Sequence, residues 1–286
     1  MKYFVLIFAF GMISALALLN ACAAKPSPDS SAVILTAPLD FNARILEIIR
    51  QMPERGGYST HGGAWQALQK SISIENDQIK VDPSLAHPSF CSSATYLVFI
   101  DLISQLQKEG RLQLSAEDLQ QLKVLNPEQQ EDGAGIWGRW NANGPGTARL
   151  FWQMGLGPNF TEKDFAKARP GDFLKIYWND EIGAKEQGHS VIFTGAKANG
   201  GVCFWSSNTV FPGEKTTGMG EKCVDEAKIH RMVFSRLEFP ERLKLAAQIF
   251  AGDKYKDSYL QQLQKRSSSV SEMDQMIGCK TNGDCL

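Results

Sequence analysis

Between Cys91 and Glu109 the chain carries Ala94, Leu97, Val98, Ile100, Leu102, Ile103 and Leu106, and little of any helical surface there is polar. A helix that is apolar almost all round has no face to give to water, so it must run through the centre of the molecule with other elements wrapped about it. Gly110 ends it. The rest of the chain has to supply that wrapping, and it sorts into helices first and strands later. Apolar spacing predicts helices over Leu39–Met52, Ala64–Ile72, Ser115–Leu125 and Thr147–Met154. Alternating runs predict strands over Asp172–Trp178, His189–Thr194, Val202–Ser207 and Ile229–Leu237, and helix returns over Pro240–Ala251 and Tyr255–Lys265. Consecutive strands joined by short Gly-containing connections point to an α+β fold with an antiparallel sheet and extra helices at both ends. No internal repeat and no break in composition divides residues 37–286, which read as a single domain.

Residues 1–22 read differently. Lys2 is followed by an apolar run from Tyr3 to Leu19, then Leu19-Asn20-Ala21-Cys22. A short basic head and an apolar middle make an export signal, and its end resembles the bacterial lipobox, in which the Cys is lipidated and becomes the new N-terminus. The expectation is a lipid anchor on Cys22, with a transmembrane anchor or a plain secretory cut after Ala24 as alternatives. Ala23, rather than Asp, follows the Cys; among bacterial lipoproteins that implies the outer membrane, with the protein facing the periplasm. Residues 23–36, with Lys25-Pro-Ser-Pro-Asp-Ser-Ser, read as a flexible tether. The 30 Lys and Arg against 31 Asp and Glu leave no basic surplus to neutralise a phosphate backbone, so nucleic acid is not an expected partner.

Export permits disulfides. With Cys22 assigned to lipid, five cysteines remain, an odd number. Cys279 and Cys285 flank a segment holding Asn-Gly, a tight-turn signal, and are expected to pair. Cys203 and Cys223 bracket a Gly-rich stretch and form the second expected pair. Cys91 is left over, either as a small buried hydrophobe or as a working thiol. No His lies at zinc-ligand spacing from a Cys pair, so no metal is expected.

Cys91 opens the central helix after Pro88-Ser89-Phe90. There the positive end of the helix dipole and unpaired N–H groups favour the thiolate. The same backbone N–H groups, at Cys91 and Ser92, can hold an oxyanion. Of the four histidines, His189 is the candidate base, because it follows Gly188 and starts a strand at the edge of a polar loop. His230 lies inside an apolar run, His87 is separated from the helix by Pro88, and His61 sits in a Gly-rich loop with Tyr58. Val202, Phe204, Ser206 and Asn208 share one face of the next strand. Asn208 is the expected orienter of the imidazole, with Ser206 as the alternative. Residues 133–157 hold seven glycines together with Trp137, Trp140 and Trp152. Trp137 and Trp140 are candidate walls of a substrate groove, as are Tyr58 and His61, with structural turns as the alternative.

Phe90-Cys-Ser-Ser at a helix start, Pro170-Gly-Asp-Phe-Leu and Gly188-His-Ser-Val-Ile-Phe-Thr-Gly, in that order, resemble the nucleophile, strand-opening and base segments of the NlpC-type cell-wall cysteine peptidases and related CHAP amidases. Ser206-x-Asn208 falls where CHAP members carry a polar pair. The resemblance covers roughly residues 85–237. It implies a papain-like core and a cysteine-dependent amidohydrolase that cleaves peptide or amide bonds of peptidoglycan through a thioester, with no cofactor. In it Cys91 would attack, His189 would shuttle the proton and Asn208 would orient the ring. The long insert after Cys91 and the lack of an Asp before it depart from the pattern. Two other roles use the same residues: a non-catalytic envelope scaffold, and a Cys-His acyltransferase.

Overall fold

The computed structural model of the protein describes residues 39–126, 128–251, 255–279 and 285. The expected signal segment, the lipidation site at Cys22 and the tether lie outside the described residues. In chain order the elements are α1 (Phe41–Gln51), β1 (Arg55–Gly56), α2 (Gly62–Ser71), a hairpin of β2 (Ile72–Glu75) and β3 (Gln78–Val81), α3 (Cys91–Lys108), α4 (Ala116–Gln121), α5 (Gly135–Trp140), α6 (Gly146–Met154) and β4 (Asn159–Thr161). Then follow β5 (Phe173–Tyr177), β6 (Gly188–Lys197), β7 (Gly201–Asn208), β8 (Gly218–Asp225), β9 (Arg231–Ser235), α7 (Ala246–Phe250), α8 (Ser258–Gln262) and α9 (Val270–Met276). The main sheet has the order β1-β8-β7-β6-β5-β9-β4, and its neighbouring strands are antiparallel. The fold is therefore mixed, with a large antiparallel sheet and several helices.

Helix α3 is the buried centre that its composition demands: Leu97, Val98, Phe99, Ile100, Leu102 and Ile103 are each 0% exposed. Strand alternation gives the sheet two apolar faces. Leu174, Ile176, Val191, Phe193, Val202 and Phe204 meet Phe160, Met232 and Phe234 on one face. On the other, Phe173 packs against Phe99, Trp140 and Phe151.

The Gly-rich insert departs from expectation. It folds into α5, which brings Trp137 and Trp140 against α3, each 1% exposed. Trp137 lies 4.8 Å from the Tyr96 ring and 5.2 Å from Trp65, while Trp140 stacks on Phe99 at 4.8 Å. Their indole N–H groups donate to Leu125 O and Thr95 Oγ1, both at 3.1 Å. These are core pillars and not walls of a groove, because a helix buried on nearly every side needs large covering side chains and the two indoles supply them. The sheet is also wider than four strands. β8 pairs with β7 over the whole of its length, with Cys223 directly opposite Cys203. Both expected disulfides, Cys203–Cys223 and Cys279–Cys285, are formed, and Cys91 is free. Toward the C-terminus the expected helix at Pro240 is 3-10 over Pro240–Leu245 before α7 begins.

Pro170-Gly171-Asp172 is a clamp at the start of β5. The Asp172 side chain is 0% exposed and accepts from Arg236 Nε and Nη2, from Asn42 Nδ2 and from Arg169 N, each at 2.8 Å. A buried carboxylate is tolerable only when so saturated. Gly171 has φ +97°, and a Cβ there would sit 2.5 Å from Asn42 O, so α1 can approach only a glycine. The clamp fixes β5, and through it the register of β6.

Candidate active site

Cys91 is the first residue of α3, after Phe90 in extended geometry. The Ser93 hydroxyl accepts from Phe90 N at 2.9 Å and donates to Phe90 O at 2.7 Å, which fixes where the helix begins. Helix geometry leaves the N–H groups of Cys91 and Ser92 without intrahelical acceptors. Two contacts hold this start against the rest of the molecule. Ser89 Oγ donates to Ser207 Oγ at 2.8 Å, and the loop at Gly57–Ser59 exchanges backbone hydrogen bonds with Ser89 at 2.9 and 3.1 Å.

The sheet opens where the helix points. β6 pairs with β5 from Gly188 onward, but its pairing with β7 starts only at Ile192 opposite Trp205. His189 and Ser190 thus stand clear of the β6–β7 ladder. The Ser190 carbonyl accepts from Ser206 Oγ at 2.7 Å, and the Ser190 backbone N–H is one of the groups that favour the Cys91 thiolate. His189 Nε2 lies 3.1 Å from Asn208 Oδ1. The Asn208 amide nitrogen spends its two N–H groups on Ser206 O and Gly220 O, both at 3.0 Å. The amide oxygen is therefore the end that faces the ring, and Nε2 must carry a proton to donate to it. That leaves Nδ1 for the thiol. The ring is flanked by Phe204 at 5.6 Å and Trp178 at 6.4 Å.

Opposing effects set the thiol. Burial pushes Cys91 up; the hydrogen bond from His189, its charge, the Ser190 N–H and the Lys175 ammonium pull it down, and the result is about 7. Lys175 is itself held at 2.7 Å by Glu186, with side chains 13% and 4% exposed. Glu186 also accepts from Gly144 N at 2.6 Å and Gly183 N at 2.8 Å, tying the insert loop to the sheet. Tyr58 is pushed up to about 12, first by burial and then by the negative charge of Cys91, so its phenol keeps its proton beside the thiolate.

The sequence candidates are thus distributed unevenly. Cys91, His189, Asn208 and Tyr58 come together. Ser206 reaches the backbone of Ser190 and not the imidazole. His61 is the exposed residue before α2, and no contact joins it to Cys91 or His189 among the described residues. His230 pairs with Asp180 at 2.9 Å on the surface. Sequence reasoning missed Lys175, Glu186 and the Ser190 N–H; the strand alternation that placed Phe173 inward also places Lys175 inward and was the available signal. Next to Cys91, the Ser92 hydroxyl donates to Asn141 Oδ1 at 2.5 Å. No protein-family model, no curated protein and no solved structure matches the chain.

Proposed function

We propose that the protein is a cysteine-dependent amidohydrolase with a papain-like core, of the NlpC or CHAP kind, acting on peptide or amide bonds of peptidoglycan. The observation that carries the reading is the ordered line from Cys91 through His189 to Asn208, with the thiol lowered to about 7 and the imidazole held in one tautomer. A thiol kept only for packing needs neither partner. In the proposed reaction the Cys91 thiolate adds to the amide carbonyl, forming a C–S bond and an oxyanion beside the first turn of α3. The His189 imidazolium gives its proton to the departing amine as the C–N bond breaks, leaving a thioester. The neutral imidazole then takes a proton from water as the water oxygen bonds the acyl carbon; the C–S bond breaks, the carboxylic acid leaves and ionises, and the thiolate–imidazolium pair is restored. Two disulfides agree with an oxidising compartment, and with the reading of residues 1–22 they support an exported, lipid-anchored protein facing the peptidoglycan.

The test is digestion of purified sacculi by the protein, with Cys91→Ala as control and products identified by mass. New stem-peptide fragments, or peptides freed from sugar, that are absent with the variant support hydrolysis. Products joined to an added amine or alcohol in place of water indicate acyl transfer. Intact sacculi, with a Cys91 that still alkylates readily, overturn the peptidoglycan assignment.

A further inference from the structure

We propose that the cavity bordered by Arg139 and Arg149 is a binding site for a small soluble phosphate monoester, separate from the Cys91 site. The cavity measures about 470 Å³ and is bordered by residues of α5 to α9 and of the segment just before α8. Small-molecule sites commonly span about 300–1,000 Å³. None of Cys91, His189, Asn208 or Tyr58 borders it, so the inference does not depend on the hydrolase reading. Its walls are of two kinds. Ile249, Phe250 and Met276 give an apolar side, and Arg139, Arg149 and Lys256 a cationic one. A ligand with an organic body and an anionic end fits that division.

Arg139 is the observation that carries the inference. The residue is 2% exposed, and a buried charge is costly unless an opposite charge meets it. Its guanidinium is held instead by neutral groups. Nε donates to Gln153 Oε1 at 2.6 Å, Nη1 to Gly135 O at 3.0 Å and Nη2 to Tyr255 O at 2.6 Å. Phe250 covers one face of the guanidinium at 4.0 Å. The carboxylate of the cavity, Asp257, is committed elsewhere: Oδ2 accepts from Arg149 Nε at 2.9 Å and from Gln153 Nε2, and Oδ1 accepts from Leu260 N at 2.9 Å. Burial lowers Arg139 to about 10, with Asp257 opposing that effect and Arg149 adding to it. Three of its five N–H groups are spent, which leaves two for a ligand. Among the described residues that border the cavity, Arg139, Arg149 and Lys256 face a single carboxylate, Asp257. Lys256 also meets Glu131 at 3.5 Å, outside that border. A surplus of up to two positive charges suits a phosphate monoester, at about −1.5 to −2 near pH 7, better than a singly charged carboxylate. A guanidinium fork also matches two phosphate oxygens at once.

The test is calorimetric titration of the protein with glycerol 3-phosphate at fixed ionic strength, with glycerol, acetate and inorganic phosphate as comparisons. The expected result is one saturable site for glycerol 3-phosphate that inorganic phosphate competes for and glycerol does not fill, with acetate weaker by about tenfold or more. Arg139→Met keeps a long side chain over Phe250 and removes every donor, and it is expected to abolish binding. Lys256→Gln, at a side chain 32% exposed, is expected to weaken binding about tenfold or more. Circular dichroism shows whether each variant is folded, and Lys256→Gln decides the matter where Arg139→Met does not fold. A wild-type protein that binds no glycerol 3-phosphate, acetate that binds as tightly, or full affinity in either folded variant overturns the proposal. Vesicles of phosphatidylcholine with phosphatidic acid form the last arm, against phosphatidylcholine alone. Retention of the protein by the phosphatidic acid, when glycerol 3-phosphate does not bind, puts the phosphate on a lipid surface and overturns the soluble ligand.

Discussion

Replacing His189 with Ala should move the ionisation of Cys91 in a direction set by what remains. In the native site burial opposes the thiolate, and the imidazole is the largest influence that favours it. Without the ring, Ser190 and Lys175 stand alone against burial, so the thiol should rise to the ordinary value of about 8.5 or beyond. At pH 6 a thiol of about 7 is roughly 9% ionised and one of about 8.5 roughly 0.3%, a ratio of about 30. The more acidic thiolate is the weaker nucleophile, and a Brønsted slope of about 0.45 over about 1.5 units returns a factor of about 5. The net advantage of the wild type at pH 6 is then only about sixfold, so the midpoint of the profile and not the rate is the decisive quantity. The assay is alkylation by iodoacetamide between pH 5 and 9, followed by intact mass. The four disulfide-bonded cysteines do not compete. The expected midpoints are about 7 for the wild type and about 8.5 or higher for the variant. A His189→Ala protein whose midpoint stays at the native value refutes the thiolate–imidazole pairing.

Asn208→Ala should lower turnover less than His189→Ala, because Asn208 orients the ring and transfers no proton, whereas Ser206→Ala should act through Ser190 and shift the thiol midpoint; loss of turnover in Ser206→Ala with an unmoved midpoint counts against that assignment. Trp137→Ala and Trp140→Ala should each cost about 3–5 kcal/mol of stability, the range for a buried aromatic truncated in a core, read as a fall in Tm. A selective rise in KM with an unchanged Tm would instead restore the groove.

What could be read in the sequence was what depends on local spacing. α3 announced itself because its apolar residues leave little polar face, and β5, β6, β7 and β9 because apolar residues alternate between turn signals. The register that sets His189 beside Asn208 followed from alternation and chain order. β8 was illegible: Gly218-Met-Gly-Glu-Lys-Cys has little strand character of its own, and its conformation comes from pairing with β7. α5 was illegible for a related reason. Its glycines speak against helix, and tertiary burial of its two indoles against α3 overrides them. The β2–β3 hairpin turns at Asn76 and Asp77, whose φ values are 52° and 57°, a signature that the pair Asn-Asp tolerates. In the site, Cys91 and His189 were identifiable because side-chain chemistry narrows the choices. Glu186 and the Ser190 N–H were not, since one acts through a distant part of the chain and the other through the backbone that every residue shares.

The parting of β6 from β7 at Ser190 has a use beyond chemistry. An ordinary strand amide has a backbone oxygen for its acceptor and is indifferent to events at a side chain. The Ser190 amide stands outside the β6–β7 ladder and favours the Cys91 thiolate, so its proton resonance and its exchange with solvent should respond to the state of one atom. Ionisation, alkylation and acylation of Cys91 each change what that proton sees. The backbone of this strand thereby carries a built-in reporter on the Cys91 sulfur, one that would register a covalent adduct even when its chemical identity is unknown.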